Sequence, residues 1–507
     1  MAQRGKKREA RRPIPVTATM LYDFVQCPSR PMMDILEDPS KRDKVSKFVQ
    51  LLWERGTEHE EEVIQALDQP YTNLRYLPAE ERERETKSAM TRGDKLIYGA
   101  RFQHGDLLGE PDLLRWQEGK YVAGDIKSGA AYEAGSDLED GKPKKHYAVQ
   151  LALYTDILEG LNASAGKEPF VWDVHGREIS YNLDAPQGPR TRDSLWQMYN
   201  SVLSQMRGLI GRSETPRPAL GAGCKLCHWR SACIEKVKGL GDLTLIPELG
   251  RAKRDAMLGS ISTVTELAST DLSVMVRGKK TVFPGIGVST LEKMRKRAQL
   301  QASGGQPYLT AALELPTLET ELFFDVETDP MRDVCYLHGF VERRGGDCGT
   351  EDYLAFFADG PAPRDEERAF SQAVSFIRER MPCAIYFYSK YERTIWRSLS
   401  KKYPSVAPAD EIDSLFGSPG AVDLYNDVVQ RNMIWPTRDH SVKTLASYLG
   451  FKWRDKSPSG ADSIEWYHRW VETGDAAVKQ RILEYNEDDC RAMRVLVDAL
   501  RTMAQSP

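Results

Sequence analysis

Residues 109–127 read GEPDLLRWQEGKYVAGDIK. Two β-rich runs, GEPDLLRW and KYVAGDIK, flank a Gly-containing turn. The second run closes on Asp125-Ile126-Lys127. In a strand, residues i and i+2 project to one face, so Asp125 and Lys127 point into one pocket. Asp112, in Pro111-Asp112, is expected to meet them from the neighbouring strand. Two carboxylates give a hard divalent cation such as Mg²⁺ or Mn²⁺ its oxygen ligands. The Lys127 ammonium can then orient an attacking water or neutralise charge on a phosphate. This is the minimum equipment for hydrolysing a phosphodiester, although a PD followed by DxK also arises from plain surface charge.

The flanking sequence adds to the pattern. Apolar periodicity predicts a helix over 17–26 and a longer one over 43–66. The longer one carries Gly56-Thr57-Glu58-His59, whose histidine offers a nitrogen ligand. A short β-rich run, KLIYGARF, precedes the motif. An exposed loop is expected over 131–145, then a helix, HYAVQLALYTDIL, in which Gln150 and Tyr154 lie four apart on one face. In this order GxxH, PD, DxK and QxxxY resemble the RecB-like branch of PD-(D/E)XK nucleases, over about residues 13–237. The resemblance implies His59, Asp112 and Asp125 as metal ligands, with the Ile126 carbonyl beside them and Lys127 as the catalytic cation. It also implies that Gln150 and Tyr154 position the DNA strand or the lysine.

The 507 residues carry 70 Lys+Arg and 74 Asp+Glu, a formal net charge of −4, with 41% hydrophobic and 28% charged content. That length allows about three domains, and the composition excludes a disordered or fibrous chain. No run reaches the roughly 20 apolar residues of a membrane span. The basic start, MAQRGKKREARR over 1–12, reads as a flexible arm and lacks the apolar core of a signal peptide, so a cytoplasmic location is expected. Near-neutral net charge gives no global case for nucleic acid.

Eight cysteines are too few for a disulfide framework in that compartment. Cys224, Cys227 and Cys233 crowd into CKLCHWRSAC, and Cys27 stands far upstream. Four thiolates suffice for a [4Fe–4S] cluster, and a Cys₄ zinc site is the alternative. The long gap before Cys233 and the nuclease core between the first and second cysteines favour iron–sulfur. The arrangement, one cysteine before the core and three after, resembles the cluster of AddB-type and CRISPR-associated RecB-like nucleases, which implies a structural staple.

From 238 to 305 the chain reads as short helices and a linker, QASGGQP, at 301–307. FPGIGVSTLEKMRKRA at 283–298 looks like a helix-hairpin-helix element. Its Gly285 and Gly287 turn would bring backbone N–H groups against a DNA phosphate, with Lys293, Arg295, Lys296 and Arg297 extending the contact. IPELGRAKRDAMLGS is a more degenerate copy. A helical spacer with solvated charges is an equal reading of the same residues.

Residues 306–507 restart with strands, ELFFDVET, CYLHGFVERR and DYLAFFA, then a helix near 365–380 and the strand AIYFYS, a separate α/β domain. Asp325 and Glu327 stand at i and i+2 on one strand face. Tyr485 precedes Asp489 by four residues on a helix. Carboxylates converge at a cost unless cations neutralise them, so the group implies metal. Two divalent ions would clamp the attacking and leaving oxygens, with Tyr485 orienting the water. DxE followed by YxxxD resembles the DEDDy branch of DnaQ-like exonucleases, on a ribonuclease-H-type fold. That resemblance implies a middle carboxylate, which falls on Glu392 of YSKYE, with Asp423 of AVDLY as its rival.

The expected molecule is therefore an α/β multidomain chain with a PD-(D/E)XK restriction-endonuclease-like core, a small helical middle and a ribonuclease-H-like C-terminal domain. The resemblance implies a metal-dependent DNase acting on single-stranded or flap-like DNA, RNA remaining open, in repair, recombination or defence. No GxxxxGK[ST] P-loop is present, so unwinding would need a helicase partner. A DNA-binding adaptor with one or both centres inactive is the alternative.

Overall fold

A computed structural model describes residues 14–133, 142–188, 191–456 and 459–505. The basic arm over 1–12 and residues 134–141 of the expected loop lie outside the described residues. The chain divides into two compact units, 1–218 with 222–234, and 219–221 with 235–507.

The first unit is organised on a six-stranded sheet, in the order Thr72–Asn73, Leu96–Tyr98, Leu113–Gln117, Lys120–Ile126, Phe170–Trp172 and Glu178–Ser180. Leu113–Gln117 and Lys120–Ile126 form an antiparallel hairpin. Its two connecting residues, Glu118 and Gly119, have φ of 48° and 91°, the positive values that a tight two-residue turn needs to match strand twist. Every residue of Lys120–Ile126 after the first is buried, as befits a strand covered on both faces. The helix Lys145–Gly160 then crosses over to the parallel strand Phe170–Trp172. Gly124 is required here, because a Cβ would fall 2.3 Å from the Phe170 ring.

The two expected runs KLIYGARF and GEPDLLRW are each split. Leu96–Tyr98 and Leu113–Gln117 join the large sheet, whereas Phe102–His104 and Leu107–Gly109 form a small one with Val16–Thr17. Gly99 breaks the first run at φ 70°, where a Cβ would meet the Arg75 backbone at 2.5 Å. Pro111, which has no N–H for a ladder, breaks the second. Asp112 therefore stands just before its strand rather than within it. The long helix runs over Lys47–Gln65 and starts on Ser46, whose hydroxyl accepts from the Val49 N–H at 3.2 Å. At Gly56 this helix runs beside Ser128, two residues beyond the strand Lys120–Ile126.

In the second unit, the helices Arg251–Met257, Val264–Ser269 and Val288–Ser303 share one core with Leu243, Leu249, Phe283 and Ile286. Here the two copies align position for position. Pro247-Glu248-Leu249-Gly250 matches Pro284-Gly285-Ile286-Gly287. Gly250 and Gly287 each precede a helix, Leu249 and Ile286 are buried, and Glu248 and Gly285 both take a left-handed φ of 65° and 74°. The expected linker at 301–307 is helical as far as Ser303 and closes on Gly304 at φ 65°. Gln301 donates to the Thr437 carbonyl at 3.0 Å.

The C-terminal sheet has five strands, in the order Asp347–Phe357, Val334–Arg344, Thr320–Asp329, Ala384–Phe387 and Ala421–Asp423. Thr320–Asp329 is central, antiparallel to Val334–Arg344 and parallel to Ala384–Phe387. Its residues alternate between two cores. Leu322, Phe324 and Val326 pack with Phe370 and Trp396, whereas Phe323 packs with Met493 and Leu496 of the helix Ala476–Gln505. Asp325 and Glu327 share the parity of Phe323, so the strand turns them to the face on which that helix lies. Among the described residues no helix is long and apolar enough to cross a membrane.

Candidate catalytic centres

At the first centre the hairpin register sets Asp112 beside Asp125. The Ile126 N–H donates to Asp112 Oδ2 at 2.8 Å, and the Asp112 N–H to Asp125 Oδ1 at 3.4 Å. Lys127 Nζ lies 2.8 Å from Asp125 Oδ2, the same-side arrangement expected of i and i+2. Burial pushes the Asp112 carboxyl up to about 7, with Asp125 and then Glu60 adding to the rise and Lys127 opposing it. Burial works against the Lys127 charge, but Asp125 and Asp112 outweigh it and raise its pKa. Two carboxylates and a half-buried ammonium thus hold each other in place.

The helical residues contribute unequally. Tyr154 is buried and its hydroxyl reaches the Glu110 carbonyl at 3.4 Å. Burial, then Asp125 and Asp112, push its phenol well above the usual range. Gln150 is buried with its Oε1 unpartnered. His59 Nε2 is buried without a hydrogen bond, and His59, Asp112 and Asp125 are not drawn into one group with ligand atoms within 4.8 Å. Its neighbour Glu60, not singled out in the sequence, bears on Asp112 instead, anchored by the Tyr98 hydroxyl at 2.9 Å and Arg75 at 3.0 Å.

At the second centre Asp325, Glu327 and Asp489 come together. Among the described residues they are the one group of three or more His, Cys, Asp or Glu with all ligand atoms within 4.8 Å. Burial drives the Asp325 carboxyl up to about 8, with Asp489 adding to it. Burial, Asp325 and Asp489 likewise raise Glu327 well above the carboxylate range. All three donors are oxygen, the chemistry that suits Mg²⁺ or Mn²⁺. Tyr485 is buried beside Asp489, and burial and that charge raise its phenol.

The two candidates for the middle carboxylate differ in what already occupies them. Asp423 accepts from the Ser389 N–H at 3.2 Å, the Asn426 N–H at 2.8 Å and the Asn426 amide at 2.8 Å, so it serves as a cap. Glu392, in the first turn of the helix Tyr391–Lys402, is buried with Oε2 unpartnered. Burial raises its pKa first, and Asp325 and Asp423 raise it further.

Four residues here escaped the sequence reading. Asn486 donates to Asp325 Oδ2 at 2.8 Å. Trp453 donates to Asp489 Oδ1 at 2.7 Å. Lys443 pairs with Asp489, and Gly339 lies opposite Asp325 in the sheet. Asn486 sits inside the YxxxD stretch, directly after Tyr485, and was within reach. No spacing links Lys443, Trp453 or Gly339 to the carboxylates.

The cysteines sit at the two ends of the first unit. Burial raises the Cys227 thiol, and Cys27 and Cys224 are near enough for their charges to raise it further. Cys233 is buried. Polar contacts bind the same two ends. Asp34 takes hydrogen bonds from the Trp229 indole at 3.0 Å and Arg42 at 2.6 Å, and lies 3.0 Å from His228 Nε2.

In the helical segment the basic residues differ in what they contact. Arg297 is fully buried, donating to the Pro247 carbonyl and to Glu248 at 2.9 Å each. The Lys293 ammonium donates to the Gln430 carbonyl. Arg297 lies on the face of Val288–Ser303 turned to the segment's own core, whereas half-buried Lys293 reaches the short helix Gln430–Asn432. Lys296, Gly285 and Gly287 are exposed.

Each of two separate α/β sheets thus carries carboxylates beside a lysine, a grouping whose chemistry suits phosphodiester hydrolysis. Residues 19–234 match the family model of the PD-(D/E)XK nuclease superfamily, and residues 322–501 that of the RNase_H superfamily. The chain thus carries a PD-(D/E)XK nuclease domain followed by an RNase-H-like domain. No curated protein matches it.

Proposed function

We propose that the chain is a metal-dependent DNA nuclease, cutting single-stranded or flap-like DNA from an end at two centres, in repair, recombination or defence. The observation that carries this reading is the convergence of Asp325, Glu327 and Asp489 within 4.8 Å, alongside the Asp112–Asp125–Lys127 group. Burying such carboxylates together is costly without a cation.

Asp112 and Asp125, with the Ile126 carbonyl, are assigned to hold Mg²⁺ or Mn²⁺ at the first centre, and His59 is assigned as the nitrogen ligand that would join them. Asp325, Glu327, Asp489 and Glu392 have that role at the second. Bound there, a divalent ion polarises the phosphate and lowers the pKa of water. Lys127 neutralises charge on the scissile phosphate, and Gln150 and Tyr154 hold the strand and the lysine in register. Tyr485 orients the attacking water at the second centre. Cys27, Cys224, Cys227 and Cys233 are assigned to a [4Fe–4S] staple, supported by the closeness of Cys27 and Cys224 to Cys227. Gly285, Gly287 and Lys296 offer the exposed phosphate contact of the helix-hairpin-helix.

The test uses anaerobically purified full chain and end-labelled single-stranded, flapped and duplex DNA, with RNA of the same sequence. Metal-dependent shortening of the first two, by brown protein, is expected. Tight DNA binding without cleavage under any divalent ion would replace this reading with a DNA-binding adaptor, and bound zinc in colourless protein would replace the cluster.

A further inference from the structure

The second centre holds a cation of its own. Lys443 opens the short helix Val442–Tyr448, which Ser441 caps by accepting from the Thr444 N–H. Its Nζ lies 2.6 and 2.9 Å from the two oxygens of Asp489 and 3.0 Å from the Tyr485 hydroxyl. The ammonium also stands 4.8 Å from the Tyr485 ring centre. Trp453 fills another acceptor position on Asp489 Oδ1 at 2.7 Å. A lysine ammonium has three donors and no acceptor, so its bond to Tyr485 must use the phenol oxygen as acceptor. The phenolic hydrogen is thereby directed away from the ammonium, with the Asp489 carboxylate, which also hydrogen-bonds this side chain, within its reach. The arrangement parallels the first centre, where Lys127 stands 2.8 Å from Asp125.

We propose that Lys443 is a positioning residue of the second centre: its ammonium orients the Tyr485 hydroxyl as a donor and competes with the metal ion for Asp489. The proposal rests on the reading of Asp325, Glu327 and Asp489 as metal ligands. It implies two effects of opposite sign on removing the ammonium. The metal ion, relieved of a competing charge, binds more tightly. Cleavage slows, because the phenol loses its fixed direction. A lysine that only supported the fold would weaken both, and one that only neutralised idle acid would leave cleavage intact.

The experiment measures Mn²⁺ binding by calorimetry and cleavage of single-stranded DNA, in full chains that carry Lys127→Ala so that only the second centre cuts. Lys443→Gln should bind Mn²⁺ about tenfold or more tightly, from the loss of a unit charge about 3 Å from the ligand. Its cleavage should fall about a hundredfold. Lys443→Arg, which keeps the charge, should return Mn²⁺ affinity towards the parent. Weaker Mn²⁺ binding in Lys443→Gln, or unchanged cleavage, overturns the proposal. A parent and an Asp325→Asn variant that bind Mn²⁺ equally would instead overturn the metal reading of the centre.

Discussion

Gly339 faces Asp325 across the sheet, and a methyl group there tests how the second centre is held. A Cβ at Gly339 would fall 1.6 Å from Asn486 Oδ1, 2.7 Å from its Cγ and 3.1 Å from the Tyr353 hydroxyl. Asn486 must then move by more than an ångström. It would leave the Asp325 oxygen to which it donates at 2.8 Å and the Tyr353 hydroxyl from which it accepts at 2.9 Å. Overpacking a buried site costs about 1–3 kcal/mol, and leaving a buried neutral polar group unpaired about 1–2 kcal/mol. Gly339→Ala should therefore destabilise the protein by about 2–5 kcal/mol in urea unfolding. In a Lys127→Ala background it should slow cleavage about a hundredfold, the effect of an ångström-scale misplacement. Adding Asn486→Ala removes the clashing side chain, so the double variant should regain stability but not activity, a coupling that a double-mutant cycle reads directly. Gly339→Ala with stability within about 0.5 kcal/mol of its parent, the range of a neutral surface change, would refute the reasoning.

Arg297→Ala should cost about 3–5 kcal/mol, since it strands Glu248 and empties a buried site, whereas Lys296→Ala should leave stability unchanged and weaken DNA binding in a salt-dependent way; unfolding and salt-titrated binding curves check both. Glu392→Gln should abolish most second-centre cleavage with little change in stability. Asp423→Ala should do the reverse, losing about 1–2 kcal/mol of cap and keeping activity, as unfolding and cleavage in the Lys127→Ala background will distinguish. The pH dependence has a definite sign. With Asp112 raised to about 7 and Asp325 to about 8, the metal-free folded state keeps protons that the unfolded chain has released above about pH 4. Stability without metal therefore falls from about pH 5 to 8. Mg²⁺ binds the deprotonated carboxylates, so the rise in melting temperature that it produces should be larger at pH 8 than at pH 6.

The first centre was legible because its chemistry lies within one hairpin. Asp112, Asp125 and Lys127 are close in sequence, and period-2 alternation places them. The break of GEPDLLRW at Pro111 was harder to see, because β-propensity runs through it and only the pairing partners, Phe102 for Gly109 but Leu96–Tyr98 and Lys120–Ile126 for Leu113–Gln117, divide it. The carboxylate trio was legible from DxE and YxxxD, but the residues that touch it were not. Lys443, Trp453 and Gly339 reach the site from three separate elements, through tertiary contacts that leave no local spacing. The basic run at 293–297 was hard to read for the opposite reason. Its charges are alike in sequence, yet helical periodicity turns Arg297 inward and leaves Lys293 half-buried and Lys296 outside.

The central claim is that this chain cleaves nucleic acid at two separate metal-dependent centres. The most direct measurement compares Mg²⁺- or Mn²⁺-dependent cleavage of end-labelled single-stranded DNA by the unaltered protein, Lys127→Ala, Asp325→Asn and the combined variant, each checked for folding. The account predicts cleavage that each single change reduces but does not remove, and that the combination abolishes. Cleavage that persists in the folded double variant, or that needs no divalent ion, would contradict it.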